Sequence, residues 1–177
     1  GFRMSARLPL VDFHNHFVDP SLPLSPGRNR AGAWAEIWRL AQDPTAPAAA
    51  IESGDIDARV LNSPASLVVG NGDISQELIR RLNDTLAELV SRHPGKLFGL
   101  VGVDIFAGDA AAREIERGVR DLGFRGVFVD SARGDLLIDA PEARPGLAAA
   151  QALGVPVFVH PINPPGLTEK AARYGRL

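Results

Sequence analysis

Cysteine is absent from the chain, and methionine and tyrosine occur once each in 177 residues. Without thiols there is no disulfide, no Cys-ligated zinc and no iron–sulfur cluster, so any metal site must use histidine, carboxylates or water. The missing cysteines are compatible with a reducing cytoplasm, the expected compartment. No apolar run reaches the roughly 18 residues of a transmembrane helix, and "GFRMSARLPL" lacks the apolar core of a signal peptide, with Met4 the expected natural start. Neither charge sign is in excess: 19 basic against 21 acidic side chains leave a net −2, which gives no reason to expect nucleic acid or a membrane as partner. What is present is an ordinary globular composition, 45% hydrophobic and 23% charged, long enough for one domain over 1–177.

Five apolar runs recur with helical stretches between them: 8–16 "LPLVDFHNH", 56–63 "IDARVLNS", 96–105 "KLFGLVGVDI", 124–131 "FRGVFVDS" and 155–161 "VPVFVHP". They are short, rich in Val, Ile, Leu and Phe, and bounded by Gly, Pro, Asp or Asn, as strands of a parallel sheet are. Over 73–92, Ile74, Leu78, Leu82, Leu86, Leu89 and Val90 form a helical stripe, with Asp73 and Gln76 as the expected capping box and Pro94 as the stop. Further helices are expected over 47–53, 109–122 and 140–153, the last with Pro145 and Gly146 near its start. A long decorated loop, 18–45, follows the first strand and contains the helix candidate "AGAWAEIWRLAQ". This β–α alternation predicts an α/β fold, either an open doubly wound sheet or part of a (β/α)₈ barrel. No GxGxxG follows the first strand, which weakens the dinucleotide-binding version of the open sheet.

Two of the four histidines, His14 and His16, end the first run. Strand alternation puts them on one face together with Asp12, at the C-terminal end where parallel α/β folds build their sites. Such a pair can ligate one ion, or can be a hydrogen-bonded pair at a strand end. His160 ends the fifth run in the same way, and a barrel would bring all three toward one axis. Three neutral nitrogen donors with open positions is the layout of a catalytic Zn²⁺. His93, between a helix end and the third run, reads as a solvated loop residue near a helix C-terminus. Asp12 reads as a group that orients a histidine or as a hydrogen-bonded core carboxylate.

With these features the chain resembles the amidohydrolase superfamily, and within it the aminocarboxymuconate-semialdehyde decarboxylase-like (amidohydrolase 2) branch. The resemblance rests on "VDFHNH", "RLNDTLAELVSRHPGKLFGLVGVDI", "GVRDLGFRGVFVDS" and "QALGVPVFVHP". It implies a (β/α)₈ TIM-type barrel, of which this chain covers about the first five β/α units, with one divalent ion, Zn²⁺ first among the candidates. By position, the family's ligands fall on His14, His16 and His160. Its further histidine and aspartate, after the sixth and eighth strands, have no counterpart, so the groups that carry catalysis are expected beyond residue 177, in a longer protein. The implied reaction is metal-dependent decarboxylation of a small unsaturated or aromatic carboxylic acid. Hydrolysis of a lactone, ester or amide on the same ligands, and a non-catalytic barrel fragment, are the alternatives. Expected substrate contacts are Ser63 and Asp130 at strand ends, with Arg28 (or Arg30) in the long loop clamping a carboxylate. The expected partners are a small-molecule carboxylate and a second copy of the chain, since an unclosed barrel leaves strand edges to cover.

Overall fold

A computed structural model describes residues 7–25, 32–162 and 172. Arg28, Arg30 and most of the tail lie outside these described residues. The chain divides into two compact units, Gly1–Leu100 and Val101–Leu177.

In the first unit, β1 (Val11–His16), β2 (Ala58–Asn62) and the start of β3 (Leu97–Gly102) pair in parallel in that order. Each strand falls within an expected apolar run. Burial differs between them: Leu61 and Leu97 are sealed, whereas Val11 and Phe13 on β1 are 46% and 45% exposed. Helices α1 (Ala33–Ala41) and α2 (Ala46–Glu52) precede β2, and the single turn α3 (Ser66–Val69) and α4 (Gln76–Ser91) follow it. The stripe of α4 buries Ile79, Leu82, Leu86 and Leu89, each contributing about 1.5–3 kcal/mol by leaving water.

The start of α4 corrects the sequence reading. Its cap is Ser75, whose hydroxyl accepts the Leu78 N–H at 3.1 Å, and not Asp73 with Gln76. Ser75 has the extended backbone of an N-cap and stands three residues before the N–H it satisfies, whereas Asp73 is two residues too early.

The described parts of the 18–45 loop are built into the unit's core. Val18, Leu22, Leu24 and Trp38 pack with Ala65, Leu67, Ile79 and Leu82. Backbone bonds fasten the loop: Val18 N–H to Ala41 O at 2.8 Å and Ser25 N–H to Leu67 O at 2.8 Å. Gln42 adds its amide to the carbonyl oxygens of Leu22 (2.8 Å) and Asp19 (3.3 Å). The stretch right after the two histidines is thus held from both sides.

In the second unit, the end of β3 leads through a 3₁₀ turn (Ile105–Ala107) into α5 (Asp109–Arg120) and β4 (Gly126–Asp130). A small antiparallel pair, β5 (Ala132–Arg133) and β6 (Leu136–Leu137), comes next, followed by α6 (Arg144–Leu153) and β7 (Val157–His160). β4 and β7 are parallel, with Val127 opposite Val157 and Asp130 opposite His160. Pro145 stands in the first turn of α6, where no intrahelical N–H is needed, and Gly154 closes the helix at φ 67°. α5 approaches β3 closely: a Cβ on Gly118 would lie 2.5 Å from Val101 Cγ2. Among the described residues no helix is long and apolar enough to cross a membrane.

Candidate functional site

The C-terminal end of β1 is not a regular strand. Asp12 stands opposite Arg59 and Asn15 opposite Leu61, so three steps on β1 match two on β2, and a bulge lies between. This corrects the alternation that placed Asp12 on one face with His14 and His16. Asp12 turns to Arg59, accepting its Nε–H at 2.9 Å. It also accepts the amide of Asn15 (3.2 Å) and the backbone N–H of His14 (3.3 Å). Arg59 is further held by the Pro47 carbonyl at 3.2 Å. Asp12 therefore acts as the hydrogen-bonded core carboxylate of the two readings, fastening the bulge and not an imidazole ring.

Past the bulge, the His14 and His16 rings stand edge to face, centroids 5.0 Å apart. His16 is opposite Asn62 in register, and its Nδ1 lies 2.5 Å from Asn62 Oδ1. An amide oxygen only accepts, so Nδ1 carries the proton and Nε2 keeps its lone pair. Asn62 is completely buried, and its carbonyl takes the Phe17 N–H at 2.9 Å. Asn62 Nδ2 and Ser63 Oγ are buried with no hydrogen-bond partner among the described residues, two polar atoms without satisfaction at the end of β2.

In the second unit the pattern of a histidine facing an oxygen repeats. His160 ends β7, and the Asp130 carboxylate, in register on β4, is 3.5 Å from its Nδ1, longer than a formed hydrogen bond. The Phe128 ring is 5.4 Å from the imidazole. Ser131 donates its backbone N–H to the His160 carbonyl (2.9 Å) and accepts the Ile162 N–H on its hydroxyl (2.9 Å), fixing the chain on both sides of the histidine. Asp104, two residues past β3 at the head of the 3₁₀ turn, accepts the Phe106 N–H at 3.1 Å and lies 3.6 Å from Arg133 Nε. His93 sits in the turn between α4 and β3, its carbonyl taking the N–H groups of Lys96 and Leu97.

The donor set fits a divalent ion. Imidazoles bind such ions as nitrogen donors, His16 meets Asn62 through Nδ1 and not Nε2, and the orphaned polar atoms of Asn62 and Ser63 lie at the end of the neighbouring strand β2. The sequence shows Asn62 at the end of an apolar run but does not show its bond to His16. The signal that could have found it is a buried asparagine closing the strand that pairs with the HxH strand.

Comparison with known proteins places these features in a family. The amidohydrolase model (Amidohydro_2) matches residues 11–177. Gamma-resorcylate decarboxylase of Rhizobium radiobacter is 32% identical over 164 residues, covering 87% of this chain and 50% of that protein. The solved structure of 2,6-dihydroxybenzoate decarboxylase complexed with 2,6-dihydroxybenzoate superimposes with a TM-score of 0.77 at 26% identity, covering 95% of this chain and 55% of that one. A dihydroxybenzoic acid decarboxylase from Polaromonas sp. JS666, with bound manganese and the inhibitor 2-nitroresorcinol, gives 0.73 at 27% identity, covering 94% and 52%. The fold is therefore α/β of the (β/α)₈-barrel type. The chain spans about half the length of the curated relatives it matches.

Proposed function

The chain belongs to the amidohydrolase family, and from that premise we propose that it is part of a metal-dependent decarboxylase acting on a small unsaturated or aromatic carboxylic acid. The observation that carries this reading is the match to decarboxylases over 87–95% of the chain, together with an HxH strand whose His16 meets Asn62 through Nδ1. His14, His16 and His160 are the proposed ligands of one divalent ion. Zn²⁺ suits the nitrogen donors, and Mn²⁺ is the ion named in the Polaromonas structure.

When bound, the ion would supply a Lewis acid for a carboxylate or carbonyl oxygen and lower the pKa of bound water to about 7. Three neutral ligands would leave its positive charge uncompensated by the protein. The remaining steps fall to side chains. Arg28 is proposed to clamp the substrate carboxylate by a bidentate bond, with Ser63 and Asp130 as further polar contacts. The groups that move the proton onto the substrate carbon, a histidine and an aspartate, are proposed to lie beyond residue 177. A cytoplasmic compartment and self-association are kept as parts of the same proposal.

The test is product analysis with the metal-loaded protein that carries the groups beyond residue 177, on a panel of hydroxybenzoates, unsaturated acids, lactones and esters. Metal-dependent release of CO₂ from an aromatic or unsaturated acid supports the proposal. Acid release from a lactone or ester without CO₂ would make it a hydrolase on the same ligands. Inertness toward the whole panel with the ion bound would make it a non-catalytic barrel fragment.

A further inference from the structure

We propose that Asn62 is a positioning residue: it locks the His16 ring in the Nδ1–H tautomer and so fixes Nε2 as the atom His16 offers to a metal ion. The inference rests on the reading of His16 as a ligand and adds the residue that decides how it binds.

Four observations carry it. Asn62 is the register partner of His16 on the neighbouring parallel strand, so the two backbones set the distance between the side chains. The Nδ1···Oδ1 separation is 2.5 Å, well inside hydrogen-bond reach. Asn62 has no exposure to solvent, so water does not compete for Oδ1. The backbone carbonyl of Asn62 takes the Phe17 N–H at 2.9 Å, which ties the residue after His16 to the same asparagine. A free imidazole in water interconverts between two tautomers. One held at Nδ1 by a buried acceptor has a single donor atom, in a single direction. Metal-binding histidines depend on such partners, and losing one weakens metal affinity 10–100-fold as an order of magnitude. Asn62 also explains the bulge in functional terms. With the extra residue inserted between Asp12 and Asn15, it is His16 that comes opposite Asn62.

The experiment uses the 177-residue chain in two measurements. Imidazole ¹⁵N signals of the metal-free protein, recorded where histidines are neutral, report the tautomer directly. The wild type is expected to show His16 protonated at Nδ1; a His16 protonated at Nε2 overturns the proposal whatever the variants do. Binding of Zn²⁺ and Mn²⁺ is then compared among wild type, Asn62→Leu, which keeps the volume and removes the acceptor, and Asn62→Asp, which restores an acceptor. Asn62→Leu is expected to bind 10–100-fold more weakly, as an order of magnitude, and to show mixed tautomers, with Asn62→Asp recovering most of the loss. Equal affinity for Asn62→Leu and wild type overturns it. If the wild type takes up no ion yet His16 is protonated at Nδ1 only in the presence of Asn62, the ligand reading fails and the control of the tautomer by Asn62 stands.

Discussion

Replacing Asp12 with alanine removes the acceptor that gathers the β1 bulge. Three donors converge on this carboxylate: Arg59 Nε at 2.9 Å, Asn15 Nδ2 at 3.2 Å and the His14 backbone N–H at 3.3 Å. The two long bonds to uncharged donors contribute about 0.5 kcal/mol each, the low end for a net hydrogen bond. The charge-assisted bond to Arg59 would contribute about 1.5–3 kcal/mol if fully buried. The side chains of Asp12 and Arg59 are 30% and 15% exposed, and solvent screening reduces that share to about 1 kcal/mol. Arg59 also keeps its contact to the Pro47 carbonyl when Asp12 is gone, which limits the penalty of stranding a cation. The expected loss is about 2 kcal/mol, a drop in Tm of about 4–8 °C for a protein of this size. Asp12→Asn retains an acceptor oxygen and loses the ion pair, so it should fall between the two. Urea denaturation followed by circular dichroism, with Arg59→Met completing a double-mutant cycle, measures the terms separately. Asp12→Ala within about 0.5 kcal/mol of wild type, the range of an ordinary surface change, would refute the reasoning. So would a zero coupling energy with Arg59.

Three further outcomes are expected. Gly118→Ala places a Cβ 2.5 Å from Val101 Cγ2 and 2.6 Å from Val101 Cβ; the overpacking costs about 1–3 kcal/mol, outweighing the helix-propensity gain, and Val101→Ala, which removes Cγ2 but keeps Cβ, should relieve only part of it in a thermal-melt comparison of single and double variants. Ser75→Ala should cost about 1 kcal/mol in denaturant unfolding while Asp73→Ala stays near neutral, because only Ser75 satisfies an N–H of α4. Burial alone would raise the Asp19 carboxyl, but the hydrogen bonds from Ser21 and Arg81 outweigh it and hold the group below the ordinary range. Its folded value is below its unfolded one, so its contribution is fully present above about pH 4 and is lost as pH falls through the folded value. Stability measured on acid titration should therefore fall less steeply in Asp19→Asn than in wild type.

How much of this could be read from the residues varies from element to element. β2, β3 and β4 fall inside the apolar runs because strands sealed on most sides must be continuous stretches of Val, Leu, Ile and Phe. The stripe of α4 was legible for a similar reason: steps of three and four residues leave one buried side. Its first turn was not, since Asp73 and Ser75 both suit a cap and only backbone geometry chooses between them. The elements α3, β5 and β6, four and two residues long, are shorter than any periodicity that could betray them. At the site, the three histidines stood out as strand-ending imidazoles. The bulge under His14 did not, because it exists only in the pairing of β1 with β2. For the same reason the partner of His16 was hidden: Asn62 is 46 positions away, and register alone brings it opposite. Two of the expected substrate contacts, Ser63 and Asp130, are at strand ends as expected, with Ser63 buried and Asp130 turned toward His160. Arg28 lies outside the described residues.

Metal content tests the proposed ligation by three histidines most directly. The chain is saturated with Zn²⁺ or Mn²⁺, desalted and measured by elemental analysis, with folding checked by circular dichroism. About one ion per chain is predicted for wild type and for His93→Ala, and a loss of nearly all of it in His14→Ala, His16→Ala and His160→Ala, as expected when one of three protein ligands is removed. A folded wild-type chain that retains no ion, or a His160→Ala variant that retains as much as wild type, would contradict it.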